Sequence, residues 1–83
     1  MVLEKTHSLI LINDSDNTYQ HVIRCLILYC DHTKEQAEQC AVITHNVGKC
    51  EIKSGNFIDM YEMQNELSDK GLLVEIENLS LEF

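Results

Sequence analysis

Apolar residues follow two different rhythms along this chain. Leu9-Ile10-Leu11-Ile12 is an unbroken apolar run, the pattern of a short strand in the middle of a sheet covered by helices, and it predicts a first strand over Ser8 to Ile12. From Thr18 to Cys30 the spacing becomes helical: Val22, Leu26, Tyr29 and Cys30 share one stripe, and Ile23 and Ile27 adjoin it. This helix is expected to be largely buried. A second helix, Lys34 to Val47, sets Ala37, Cys40, Ala41 and Thr44 on one face and Glu35, Glu38 and Gln39 on the other. Its small residues permit close approach to the first helix. Lys49 to Lys53 alternates as an edge strand does, and Ser54-Gly55 reads as a turn. A third helix, Phe57 to Lys70, turns Met60, Met63 and Leu67 to the core, and Leu72 to Ile76 is the last strand.

Punctuation between these segments supports the same division. Asn13 to Asn17 is polar and turn-prone. Asn17 with Gln20, and Thr33 with Gln36, have the spacing of reciprocal helix N-caps, and Asn56 is placed to cap the third helix. Gly48 and Gly71 are left-handed terminators of the second and third helices. The resulting order is β-α-α-β-α-β, a small α+β sandwich with helices packed on one face of a three-stranded antiparallel sheet. At 83 residues, without an internal repeat or a Gly/Ser-rich linker, residues 1–83 read as one domain, with a core of about 8–77 and a short tail, 1–7.

Composition narrows the function classes. Fourteen acidic against six basic residues give a formal net charge of −8, which argues against phosphate-backbone binding as the main activity and so against a nucleic-acid partner. The longest apolar stretch, Cys25 to Cys30, is too short to span a bilayer, and the N-terminus lacks a basic region followed by an apolar core and cleavage site. The expected location is the cytoplasm. The four cysteines, at 25, 30, 40 and 50, read as buried free thiols; a metal set of Cys25, Cys30, Cys40 and His32 would have to converge without any Cys-x-x-Cys or paired-His spacing. No metal or cofactor is expected.

The chemistry concentrates in Asn13-Asp14, at the end of the first strand, and in His45, near the end of the second helix. An amide oxygen, a carboxylate and a neutral imidazole nitrogen are acceptors suited to the three donors of an α-ammonium group. Each also has a plain structural reading, Asn-Asp as an ordinary turn and His45 as a helix-terminal residue. Asp14 and His45 could in principle serve as an acid and a base, but no activated nucleophile or cofactor motif accompanies them, so an enzyme is not expected.

With Asn13-Asp14 after an apolar strand, Val22-Ile23 and Leu26 on the first helix, Glu35-Gln36-Ala37 opening the second, and His45 followed by Gly48-Lys49, the segment from about Ser8 to Ile76 resembles the Clp protease adaptor family, ClpS. The pattern runs without a gap from Asn13 to Lys49. The resemblance implies the same fold, shared with a ribosomal-stalk domain. It also implies an adaptor that binds proteins with a free α-amino group and a bulky apolar first residue and delivers them to a Clp-type AAA+ unfoldase. By that resemblance Asn13, Asp14 and His45 hold the amine, and Tyr19, Val22, Ala41 and Thr44 line a pocket for the first side chain, with Ala41 and Thr44 making it wider and less apolar than larger apolar residues would. By the same resemblance unfoldase docking falls around the second strand and the start of the third helix, and no docking residue is singled out between Lys53 and Tyr61. The alternative is a general protein-interaction module of the same fold without N-terminal selectivity.

Overall fold

The computed structural model describes residues 5–79. Along these residues run β1 (His7–Ile12), α1 (Tyr19–Cys30), α2 (Lys34–Val47), β2 (Lys49–Gly55), α3 (Phe57–Asp69) and β3 (Val74–Asn78). The apolar run becomes the middle strand: the sheet order is β2-β1-β3, antiparallel on both sides. Leu9 and Leu11 are almost wholly buried, as expected of a strand whose inner face meets helices. They pair across the sheet with Ile76 and Val74.

On the other side the register slips. Leu9 pairs with Lys53 but Ile10 with Glu51, so Ile52 is the extra residue of a β-bulge. Ile52 is 4% exposed and joins Leu9, Leu11, Leu26, Met60 and Leu67 in the core cluster. The carbonyl of this bulged residue is satisfied by His32, whose Nε2–H donates to it at 2.7 Å. The strand begins at Lys49 as expected but ends later: β2 runs on through Ser54 and Gly55, and Thr6 N–H donates to the Gly55 carbonyl at 3.1 Å. Pairing with the tail prolongs the strand where a turn was expected.

Helix ends follow local chemistry. Thr33 and Gln36 form the reciprocal capping box, and Asn56 accepts from the Asp59 N–H. The cap of α1 is Thr18, whose hydroxyl accepts from the His21 N–H, not Asn17. Asn17 is engaged elsewhere: its side-chain amide donates to the Gly71 carbonyl at 3.0 Å. Helix α1 stops at Asp31, a left-handed residue with φ 60°, and Lys53 Nζ donates to the Cys30 carbonyl at 3.1 Å. Helix α1 buries Cys25, Leu26 and Cys30 and half-buries Val22, Ile23 and Tyr29, but Leu28 is 65% exposed and Ile27 lies on the open side. Burying one Leu side chain such as Leu26 contributes roughly 1.5 to 3 kcal/mol. Gly48 and Gly71 have φ of 109° and 90°, the left-handed geometry that ends α2 and follows α3. The last strand starts at Val74, later than Leu72, because Gly71 and Leu72 still close the end of α3 through bonds to the Ser68 and Leu67 carbonyls. Among the described residues no helix is long and apolar enough to cross a membrane.

Candidate functional site

Where β1 ends, its backbone is fixed from both neighbours. Ile12 N–H donates to the Leu73 carbonyl and Asn13 N–H to the Gly48 carbonyl, each at 2.9 Å. The first bond ties the strand end to the corner between α3 and β3, and the second ties it to the turn between α2 and β2. Three connections therefore meet at Asn13.

The loop that follows is stitched to itself. Asp14 Oδ1 accepts from the Asp16 N–H at 3.0 Å, and the Asn17 N–H donates to the Asp14 carbonyl at 3.2 Å. Asp14 is thus an Asx-turn residue, the ordinary reading of Asn-Asp after a strand. That turn also holds the carboxylate in one orientation, and among the described residues Oδ2 has no hydrogen-bond partner. Asp14 is half-buried, whereas Asn13 and His45 are exposed.

His45 stands in the last turn of α2, with its ring 5.5 Å from that of Tyr19 and tilted by 59°. Tyr19 is the first residue of α1. The start of one helix and the end of the other so approach each other above the strand end. Deeper, Ala41 and Thr44 are 3% and 6% exposed on the buried face of α2. Thr44 Oγ1 donates to the Cys40 carbonyl at 2.7 Å, so the one proton of this hydroxyl is committed to its own helix. Thr44 therefore has acceptor capacity, and no donor, to offer to a ligand.

These side chains surround a cavity of about 180 Å³. Asn13, Asp14, Tyr19, Val22, Ala41, Thr44 and His45 all line it. So do Leu72 and Leu73, from the α3–β3 corner, and Asn17 from the loop. Sequence reasoning had placed Leu72 only in a strand and Asn17 only at a cap. Their signal was indirect: β1 and β3 pair antiparallel, so the approach to β3 must lie beside the exit from β1, but this is visible only once the strand order is known.

The remaining reactive groups lie elsewhere. Burial raises the Cys25 thiol, pushes Cys30 up to about 11, and together with the neighbouring Cys50 thiol pushes Cys40 up to about 12. Such thiols stay protonated at neutral pH and are poor nucleophiles. Cys40 and Cys50 are half-exposed, unlike the buried pair Cys25 and Cys30, and all four are free. Among the described residues no three His, Cys, Asp or Glu side chains gather in a way that could hold a metal ion.

Comparison with known proteins bears on this arrangement. A stretch of 61 residues, 74% of the chain, is 34% identical to the E3 ubiquitin-protein ligase ubr-1 of Caenorhabditis elegans, of whose length it covers 3%. The family described as ATP-dependent Clp protease adaptor protein ClpS matches residues 3–75, a span that takes in β1, all three helices, β2 and the whole lining of the cavity. With the β-α-α-β-α-β order and the three-stranded antiparallel sheet in agreement, the chain belongs to the ClpS family of Clp protease adaptors.

Proposed function

We propose that this cavity receives the first residue of a protein chain, its free α-ammonium group at Asn13, Asp14 and His45 and its bulky apolar side chain against Val22, Ala41 and Thr44. The protein so captured is handed to a Clp-type AAA+ unfoldase for degradation. The observation that carries this reading is the convergence of acceptors and apolar side chains from β1, α1 and α2 on one cavity. An ammonium group brings three donors and a positive charge, and Asp14 Oδ2 is a charged acceptor held ready by the Asx turn. Charge-assisted hydrogen bonds contribute on the order of 1.5 to 3 kcal/mol each when well made, and burial of the side chain adds roughly 1.5 to 3 kcal/mol. Association and ordering of the peptide cost several, so binding in the micromolar range is expected. Acetylation of the amine removes its charge and two donors and leaves the desolvated Asp14 carboxylate unpaired, which makes the site selective for free N-termini.

Delivery to the unfoldase rests on family membership. The start of α3 presents Phe57, Ile58 and Tyr61, 48%, 66% and 50% exposed, as an apolar contact surface in the region where docking is expected. The similarity to a ubiquitin ligase supports a variant of the same reading, in which recognition is coupled to a different degradation machinery. A general interaction module of this fold would differ in ignoring the state of the peptide amine. Fluorescence anisotropy with a labelled peptide beginning with free Leu or Phe, its N-acetylated twin and a Ser-initiated control separates them. Binding of the free apolar peptides alone is expected; equal binding of all three would replace the proposal with the interaction module.

A further inference from the structure

The corner between α3 and β3 supplies one wall of the cavity through Leu72 and Leu73, and the β1–α1 loop and α1 each hold that corner with one side chain. Asn17 Nδ2 donates to the Gly71 carbonyl at 3.0 Å, and His21 Nε2 lies 2.8 Å from the Lys70 carbonyl. A carbonyl only accepts, so Nε2 carries the proton. Lys70 and Gly71 are the residues by which α3 ends: both their N–H groups bond back into the last turn, and Gly71 takes the left-handed conformation. A Cβ on Gly71 would meet nothing closer than Asn17 Oδ1 at 3.9 Å, so glycine is there for its φ of 90° and not for space. Two consecutive carbonyls at a helix end would otherwise face solvent. Here each finds a donor from a different element, and the Thr18 cap bonds the His21 N–H, which fixes the start of the helix that carries one donor.

We infer that Asn17 and His21 are positioning residues that set the side-chain selectivity of the site by locking the Leu72–Leu73 wall against α1, while taking no part in holding the amine. This rests on the reading of the cavity as a pocket for a first side chain. The geometry separates the two tasks. The amine acceptors Asn13 and Asp14 are fixed by β1 and the Asx turn, whereas Leu72 is tied through the corner to Leu67 and Leu73 through its carbonyl to Ile12. Loss of the two side-chain bonds releases the Lys70 and Gly71 carbonyls and leaves the wall held only by the Leu72–Leu67 and Leu73–Ile12 backbone bonds, with the strand end and the Asx turn intact. A pocket with a loose wall fits large and small side chains less differently, because discrimination between apolar side chains depends on how well the walls are held in place.

The test compares wild type, Asn17→Ala, His21→Ala and His21→Gln, the last retaining an amide donor. Each is titrated with free peptides that begin with Phe, Leu, Val or Ala, and with N-acetylated Phe peptide. For the two Ala variants the ratio of Phe to Val affinities is expected to narrow by about two- to tenfold, the range that loss of one hydrogen bond gives. In His21→Ala, whose residue lies outside the cavity lining, the ratio of free to acetylated Phe peptide should be unchanged, and His21→Gln should restore selectivity. Amide hydrogen exchange at Gly71 and Leu72 is expected to speed up in the Ala variants, with α2 unaffected. Unchanged selectivity in proteins whose corner exchanges faster would make the two bonds purely structural and overturn the inference. Unchanged exchange and selectivity would overturn the clamp itself. A wild type that does not distinguish free from acetylated peptide would instead bring down the functional reading on which the inference rests.

Discussion

Replacing Asp14 by Asn removes a charge and almost nothing else. The Asx turn needs one side-chain oxygen to accept from the Asp16 N–H, and an amide oxygen does this as well as Oδ1. The loop, the strand end and the cavity volume should therefore persist. What disappears is the second anionic oxygen, which among the described residues has no partner of its own. If an ammonium group binds there, the loss is that of a charge-assisted hydrogen bond, about 1.5 to 3 kcal/mol, or roughly 10- to 150-fold in Kd. Asp14 is only half-buried, so solvent screening favours the lower part of this range. The assay is peptide anisotropy with wild type and Asp14→Asn at two salt concentrations, alongside a thermal melt. The expected outcome is weaker binding of the free Phe peptide, a smaller salt dependence than in wild type, and an unchanged melt. An unaltered Kd in a folded Asp14→Asn protein would refute the assignment of Asp14 to the amine.

Further outcomes follow from the packing. Ala41 is buried in the cavity lining, so Ala41→Met should fill part of it and narrow the accepted first residues toward the smaller ones; an unaltered peptide profile would put the first side chain elsewhere. Leu26, fully buried under the sheet, should cost about 2 to 5 kcal/mol on replacement by Ala, read from urea unfolding, and a loss under 1 kcal/mol, on the order of a surface change, would contradict its place in the core. Burial raises the Cys30 thiol from 9.0 to about 11, so the folded protein keeps a proton that the unfolded chain gives up. Its contribution to stability is whole below about pH 9 and is lost as pH rises through about 11, at up to about 1.4 kcal/mol per pH unit. Unfolding at about pH 8, 9.5 and 10.5 should show a steeper alkaline decline in wild type than in Cys30→Ala, and equal slopes would mean that Cys30 ionises freely when folded.

The order of elements was legible because each carries its own period and its own stop. The capping box at Thr33 and Gln36, the cap at Asn56 and the glycines at 48 and 71 all act within a few residues, where sequence and structure are closest. What escaped were features decided at longer range. Asn17 and Thr18 compete for the same cap, and the carbonyl of Gly71, distant in sequence, draws Asn17 away. The bulge at Ile52 depends on where β2 meets β1, which the alternation of a short strand does not determine. The roles of His21 and His32 lie in bonds to backbone carbonyls on other elements, which no local spacing announces. The cluster of Asn13, Asp14 and His45 with Tyr19, Val22, Ala41 and Thr44 came from a family pattern rather than from periodicity. Leu72 and Leu73, which periodicity could only assign to a strand, complete the cavity because β3 pairs with β1.

The central claim, that a free protein N-terminus sits in this cavity, is tested most directly by titrating isotopically labelled protein with a short Phe-initiated peptide and its acetylated twin while following backbone amide resonances. The free peptide should shift the amides of Asn13, Asp14, Ala41, His45 and Leu73 together, with one saturating Kd in the micromolar range, and the acetylated twin should leave them in place. Shifts confined to the outer face of α2 around Val42 and Ile43, or identical shifts with both peptides, would contradict it.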